Sequence, residues 1–299
     1  YLAIEFLREI STLISQAENV RCILFMVFAM AGFAIEDAVI KQLSEDLPIS
    51  QVLMLIGMGG LLAFGLVAQI KSSSLFVSHL INPKFLIRMV CELISAILFV
   101  VAIVSASLSA SSAIMQATPL AVALGGVVFM KQQVSAAQWA FIIIGFLGVL
   151  LIVQPGMKGF QVETLFAVAG VFFLAARDLI TRSIAESIEP LLISFWAFFA
   201  LFLAGLVTVP VFGDFISLNW SHIGLLMISA VAGSCGYFSV VLATRGGDVA
   251  AVSPFRYSRL VFALLLSVLF FGETLNLPII VGSGLVIGSG LFALRFGSK

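Results

Sequence analysis

Charge is what this sequence has least of. Asp, Glu, Lys and Arg make up only 10% of its 299 residues, fifteen of each sign, and there are two histidines. His79 and His222 are far apart and no metal-ligand spacing occurs, so neither a metal centre nor a clustered catalytic set is expected, and no cofactor is assigned. The three cysteines, Cys22, Cys91 and Cys235, lie in separate apolar runs, which reads as packing and not as a disulfide framework. A GxxxxGK[ST] phosphate loop is missing, which excludes ATP hydrolysis by the chain itself. No nucleic-acid partner is expected. The ten-residue alternation of a membrane barrel is absent too, and helices are left as the way to pair every backbone group in lipid.

What is there is apolar. Hydrophobic residues make up 62% of the chain and the mean hydropathy is +1.21. No soluble fold hides that much apolar surface, whereas a bilayer accepts it. Ten stretches are long enough to cross: Val20 to Ile40, Ser50 to Gln69, Phe85 to Ser105, Ser111 to Phe129, Ala137 to Val153, Thr164 to Ile184, Leu191 to Phe212, Ser221 to Ala243, Val249 to Phe271 and Pro278 to Leu294. Pro48, Pro155, Pro190 and the Gly246-Gly247 pair mark connectors. Residues 1–19 place Phe6, Leu7, Ile10, Leu13 and Ile14 on one helical face and read as an interfacial helix. They lack the cleavage site of a signal peptide, and a chain opening on Tyr1 is expected to have lost its true start.

Basic residues set the orientation. With a cytoplasmic N-terminus, Arg8, Arg21, Lys71, Lys84, Arg88, Lys131, Arg182, Arg245, Arg295 and Lys299 fall on the cytoplasmic side, and only Lys41 and Lys158 outside. The positive-inside rule therefore puts both termini in the cytoplasm.

The halves read as copies. A shift of 141 lays Asp37 on Asp178, Lys41 on Arg182 and Glu45 on Glu186; a shift of 140 lays Ala110 on Ala250, Leu120 on Leu260, Ala123 on Ala263 and Gly148 on Gly288. Charges are so scarce that three recurring ones define a repeat. Five spans per copy is an odd number, so the second copy must insert upside down. The expected architecture is an all-α polytopic membrane protein of ten transmembrane helices in two inverted five-helix repeats, 20–153 and 164–295, with a site near the midplane.

Within the ninth span, the run from Ala243 through Arg245-Gly246-Gly247-Asp248 and Ser253-Pro254-Phe255-Arg256-Tyr257-Ser258-Arg259 to Leu260, followed by Phe271-Gly272-Glu273, resembles the last part of EamA-type members of the drug/metabolite transporter superfamily. Gln116-Ala117-Thr118-Pro119-Leu120 resembles the proline-bearing helix of the first half. The resemblance covers about residues 20 to 295 and implies a central cavity and transport of small metabolites without ATP hydrolysis. One departure is that Gln132-Gln133 stands where the second half has Gly272-Glu273, so Glu273 is assigned a structural role.

The interior charges are the candidate site. Asp37 and Asp178 recur in equivalent places although a charge in a membrane helix costs at least about 2.5 kcal/mol. Each could instead neutralise itself against Lys41 or Arg182 four residues on. Glu36 aligns with Arg177, and the two could pair across the repeat axis or line opposite walls of one cavity. Arg256 and Arg259 share a helix face beside Tyr257; one is expected to meet an anionic group of substrate and the other to anchor at headgroups, with Arg256 the first choice for substrate. Glu92, four residues after Arg88, reads as a local pair, and His79 and His222 as surface residues. The phenylalanines and tryptophans read mostly as lipid-facing bulk, Gly284 and Gly288 as a close-packing step, and Pro119 as a kink.

The function expected is a secondary transporter of a small polar or zwitterionic metabolite, amino-acid-like or adenosylmethionine-like, working by alternating access in a bacterial inner membrane. A membrane-embedded enzyme or a channel is the alternative. Its partners would be the substrate and the lipid bilayer, with a monomer or weak dimer expected and no coupling ion assigned.

Overall fold

The structure is a computed structural model that describes residues 2–73, 75, 82–130, 136–154, 161–183, 189–213, 215–246 and 252–296. Expectations that concern His79, Lys131, Gln132, Gln133, Pro155, Lys158, Glu186, Gly247, Asp248, Ala250 and Lys299, the side chains of residues 1–17, and those of Arg182, Arg245 and Arg295 fall outside it.

Every regular element among the described residues is helical: α1 Leu2–Leu43, α2 Ile49–Ile70, α3 Pro83–Ser105, α4 Leu108–Met115, α5 Thr118–Met130, α6 Ala136–Val153, α7 Thr164–Ser183, α8 Pro190–Phe212, α9 Trp220–Gly246, a 3₁₀ turn Ser253–Tyr257, α10 Ser258–Phe271 and α11 Leu277–Phe296. Local chemistry sets the ends. Asn82 accepts from the Lys84 backbone N–H with Pro83 in the first turn of α3, Pro190 opens α8, and Gly272 closes α10 at a left-handed φ of 58°.

Two expected spans are broken. Ser111 to Phe129 begins earlier, at Leu108, and is interrupted at Gln116-Ala117, ahead of Pro119. In the described part of Val249 to Phe271, a 3₁₀ turn Ser253–Tyr257 carrying Pro254 precedes the α-helix that starts at Ser258. The expected interfacial helix is not a separate element, because α1 runs unbroken to Leu43.

Seven segments among the described residues are long and apolar enough to cross a membrane: Glu18–Leu43, Ile49–Ile70, Pro83–Ser105, Leu108–Phe129, Thr164–Thr181, Leu191–Phe212 and Trp220–Val240. Ile142–Val153 and Leu277–Ser289 are shorter apolar helices. The chain is a multi-pass, all-helical membrane protein.

The strongest packing joins α2 to α8, α1 to α9, α6 to α11 and α3 to α7. These contacts exchange under one shift of 141 residues. Gly236 approaches the Ala29 carbonyl so closely that a Cβ would lie 3.2 Å from it, and the shifted pair, Gly170 and the Ser95 carbonyl, meets at 3.7 Å. Likewise a Cβ on Gly148 would lie 3.1 Å from Val286, while one on Gly145, the mate of Val286, would lie 2.6 Å from Ser289. The repeat inferred from three charges is therefore also a packing repeat. Gly284 and Gly288 are not its close-packing step, since among the described residues nothing lies within 4 Å of a Cβ at either; on α11 that role falls to Gly282, 2.7 Å from the Gly148 carbonyl by the same measure.

The largest apolar core gathers where α1 hands over to α2, with Leu43, Leu53, Ile56, Ile103, Leu108 and Ile114 buried. A smaller cluster of Cys22, Met26, Ala29, Met30, Ala243 and Val252 lies toward the other end of α1. His222 is not a surface residue: it is buried, with Nε2 3.2 Å from Asp46 Oδ2, so it ties the start of α9 to the turn after α1. Trp196 is not a lipid-facing belt residue either, because its indole N–H donates to the Leu75 carbonyl at 3.1 Å and its ring packs edge-on against Phe195 and Phe199.

Candidate functional site

Two charged clusters sit inside the bundle. The first is built on α1 and α10. Asp37 is buried and Arg259 grips it in a fork, with Nη2 2.9 Å from Oδ1 and 2.7 Å from Oδ2, and Nε 3.1 Å from Oδ2. The same guanidinium lies 5.3 Å from the Phe33 ring centre and 5.6 Å from that of Phe99. A bidentate fork held beside two aromatic rings is chemistry that Lys cannot reproduce. Glu36, the neighbour of Asp37, turns toward α9, where a Cβ on Gly233 would meet its Oε1 at 2.5 Å.

The second cluster, on α3 and α7, holds Asp178 and Arg177, the repeat mates of Asp37 and Glu36. Arg177 donates through Nη1 to Glu92 at 2.8 Å, and through Nη2 and Nε to Asp178 at 2.6 and 3.0 Å. Arg88 completes the chain, with Nη2 3.1 Å from Glu92 and Nε 3.1 Å from the Thr181 hydroxyl. Four charges of two signs thus neutralise one another, as buried ion networks must.

An aromatic group lies between the clusters. Tyr237 on α9 meets Phe33 edge-on at 5.9 Å, Phe64 edge-on at 6.2 Å and Phe198 at 5.8 Å. Sequence reasoning missed this group, because apolar rings in an apolar chain carry no signal until their helices are paired. It also gave Glu92 only a local partner, whereas Glu92 bridges Arg88 to Arg177.

Other expectations are redistributed. Lys41 is not the partner of Asp37; it pairs with Glu273 at 2.7 Å and lies 5.0 Å from the Phe271 ring centre. Asp178 is held by its neighbour Arg177, and Glu36 and Arg177 belong to different clusters and do not pair. Arg256 is exposed at the break before α10, and its backbone carbonyl accepts from the Gln116 side chain at 3.2 Å, with the Tyr257 carbonyl at 3.5 Å. Gln116 and Tyr257 are mates under the shift of 141, so the two broken helices meet at equivalent points. Tyr257 is buried, and its hydroxyl has no hydrogen-bond partner among the described residues.

Glu273 fills a structural position. It accepts from the backbone N–H of Leu108 at 2.8 Å and of Ser109 at 3.1 Å, and from the Ser109 hydroxyl at 2.6 Å, which places a carboxylate on the N-terminus of α4. Burial alone would raise its pKa, but these donors and Lys41 outweigh burial and hold the carboxyl below its ordinary value. A polar cavity of about 390 Å³ opens beside it, lined by Ser107, Ser109, Gln154, Gln161, Thr274 and Asn276 among others. Among the described residues no group of His, Cys, Asp or Glu could hold a metal ion.

Comparison with known proteins agrees with a two-repeat architecture. The model of the EamA-like transporter family matches residues 20–154 and again 162–295. The chain is 26% identical over 190 residues to a riboflavin transporter of Rhizobium johnstonii, covering 61% of this chain and 60% of that one. It is 24% identical over 181 residues to an S-adenosylmethionine uptake transporter of Rickettsia prowazekii, covering 60% of each. The matched part thus spans about three fifths of the length of these relatives. Pseudopaline exporter CntI of Pseudomonas aeruginosa is 24% identical over 269 residues, covering 89% of this chain and 93% of the exporter. A solved crystal structure of a protein that is 14% identical superimposes with a TM-score of 0.60 over 95% of this chain and 99% of that one, and so shares the fold.

Proposed function

The chain belongs to the EamA-like transporter family, and from that premise we propose that it is a secondary transporter of a small, polar or zwitterionic metabolite, working by alternating access in a bacterial inner membrane. The family is one of transporters, not of enzymes. In this reading the chain crosses the membrane ten times, α4 with α5 and the 3₁₀ turn with α10 each forming one broken pass, in two inverted five-helix repeats with both termini cytoplasmic.

One observation carries the reading: the packing of α1 on α9 and of α7 on α3 exchanges under a single shift, with the close contact of Gly236 and Ala29 matched by that of Ser95 and Gly170. Two halves that can trade places give a carrier two related conformations, one open to each side. The charged clusters lie on these exchanging helices, where substrate would sit. Asp37, Arg259, Glu36, Arg177, Asp178 and Tyr257 are the residues proposed to serve it, with Arg256 at the mouth of the α10 break. An amino-acid head group has a carboxylate for an arginine and an ammonium for an acid. The relatives' substrates favour such a group joined to a flat ring, as in S-adenosylmethionine, which the aromatic rings around Tyr237 suit.

Purified protein should gain thermal stability from its substrate, because a ligand that binds only the folded state shifts unfolding by mass action. S-adenosylmethionine, riboflavin and the amino acids form the test panel. Stabilisation by S-adenosylmethionine is expected; stabilisation by none of them would contradict this substrate class.

A further inference from the structure

We propose that Glu36 is the counter-ion for a positively charged group on the cargo, a role that rests on the transporter reading and goes beyond it by assigning the charge that the contact of α1 with α9 lacks. Where α7 packs on α3, Arg177 closes on Glu92 at 2.8 Å. The shift of 141 makes Glu36 the mate of Arg177 and Gly233 the mate of Glu92. The geometry obeys that correspondence, since the Glu36 carboxylate faces Gly233 as Arg177 faces Glu92. One copy of the contact is thus an ion pair, and the other is an acid facing a residue with no side chain.

An ionised Glu36 is balanced only by an added cation; without one it must hold its own proton. Arg88 and Arg177 offset Glu92 and Asp178, while among the described residues Arg259 alone stands against Glu36 and Asp37 and is committed to Asp37 by its fork. Among the described residues no hydrogen bond or ion pair reaches Glu36. An unpaired carboxylate among membrane helices costs several kcal/mol, so a positive group that visits it is bound where water is absent and competes with a proton for the same oxygens.

The surroundings select the kind of cation. Phe33 lies one helical turn before Glu36, and Tyr237 one turn beyond Gly233 along α9; the two rings meet at 5.9 Å, with Phe64 and Phe198 behind them. Aromatic rings beside a carboxylate favour a soft, weakly hydrated cation, of the sulfonium or substituted-ammonium type, over a small hydrated metal ion. Gly233 contributes the space, and a methyl group there would press on the carboxylate.

The test uses the full-length purified chain with phenyltrimethylammonium as the cation and tert-butylbenzene as its uncharged counterpart of the same shape, at constant ionic strength. The ammonium compound should raise the unfolding temperature and the hydrocarbon should not. Glu36→Gln should weaken the apparent affinity by at least about tenfold, Glu36→Asp should restore part of it, and Gly233→Ala should weaken it while leaving the unliganded protein folded. Equal stabilisation by both compounds, or an unchanged response in Glu36→Gln, overturns the assignment. Failure here is distinguishable from failure of the transporter reading: S-adenosylmethionine exchange that persists in Glu36→Gln removes Glu36 and keeps the carrier, whereas charge-selective binding without exchange of any panel compound keeps Glu36 and removes the carrier.

Discussion

Asp37 and Arg259 behave as one unit, since both carboxylate oxygens and two guanidinium nitrogens are used in the same fork. Removing either member strands the other charge inside the bundle, at a cost of about 3 to 5 kcal/mol. Asp37→Asn and Arg259→Gln should each lower stability on that scale, and the double variant should lose far less than their sum; additive losses in a thermal double-mutant cycle would contradict the pairing. Glu273 supplies the pH dependence. Its carboxyl is held below the ordinary 4.5, so its contribution is complete above the unfolded value and fades as pH falls through the lower folded one. Wild type should be more stable than Glu273→Gln at neutral pH, with the gap closing below about pH 4.5; a gap independent of pH in unfolding scans would dismiss the α4 cap. The acids themselves were legible in the sequence, because charge is rare enough for Asp37 and Asp178 to stand out. Their partners were not. Lys41 lies at favourable spacing four residues from Asp37, yet the contact of α1 with α10 decides the pairing, and no local rule encodes which helices touch.

At the scale of helices, small residues set how closely partners approach. A Cβ on Gly57 would run into the Phe202 backbone, and one on Gly205 would lie 2.6 Å from the Ser50 carbonyl. Gly57→Ala and Gly205→Ala should therefore destabilise α2 against α8 by about 1 to 3 kcal/mol. Gly284→Ala and Gly288→Ala, which meet open space, should stay within about 0.5 kcal/mol of wild type. Thermal unfolding of the four variants decides between these contacts and a Gly284-Gly288 interface, which predicts the reverse order. Helix ends at Pro48 and Pro190 could be read directly, since proline acts locally. The break at Gln116-Ala117 could not. α5 is apolar all round, so no change of periodicity marks the site, and the Gln116 side chain is tied instead to carbonyls of the second repeat.

At the scale of the molecule, the repeat links sequence to function. Recurring charges reveal the shift of 141, and the glycine contacts of α1 on α9 and α3 on α7 carry it into packing. The loss of symmetry at Glu36 and Gly233 becomes visible only when those helices are paired, because the sequence alignment set Glu36 against Arg177 without naming what either one faces. With the three native cysteines replaced, a single cysteine at position 158 should react with a membrane-impermeant label from outside intact cells, and one at position 299 should not; the opposite pattern would invert the topology. The central claim is that the chain is a carrier that exchanges one bound solute at a time. Counterflow in proteoliposomes tests it most directly, with vesicles loaded with unlabelled S-adenosylmethionine, diluted into labelled compound and given no ATP. The account predicts a transient, saturable accumulation of label in wild type that is lost in Glu36→Gln. Label that merely equilibrates without overshoot, or enters in proportion to concentration without saturating, would contradict it.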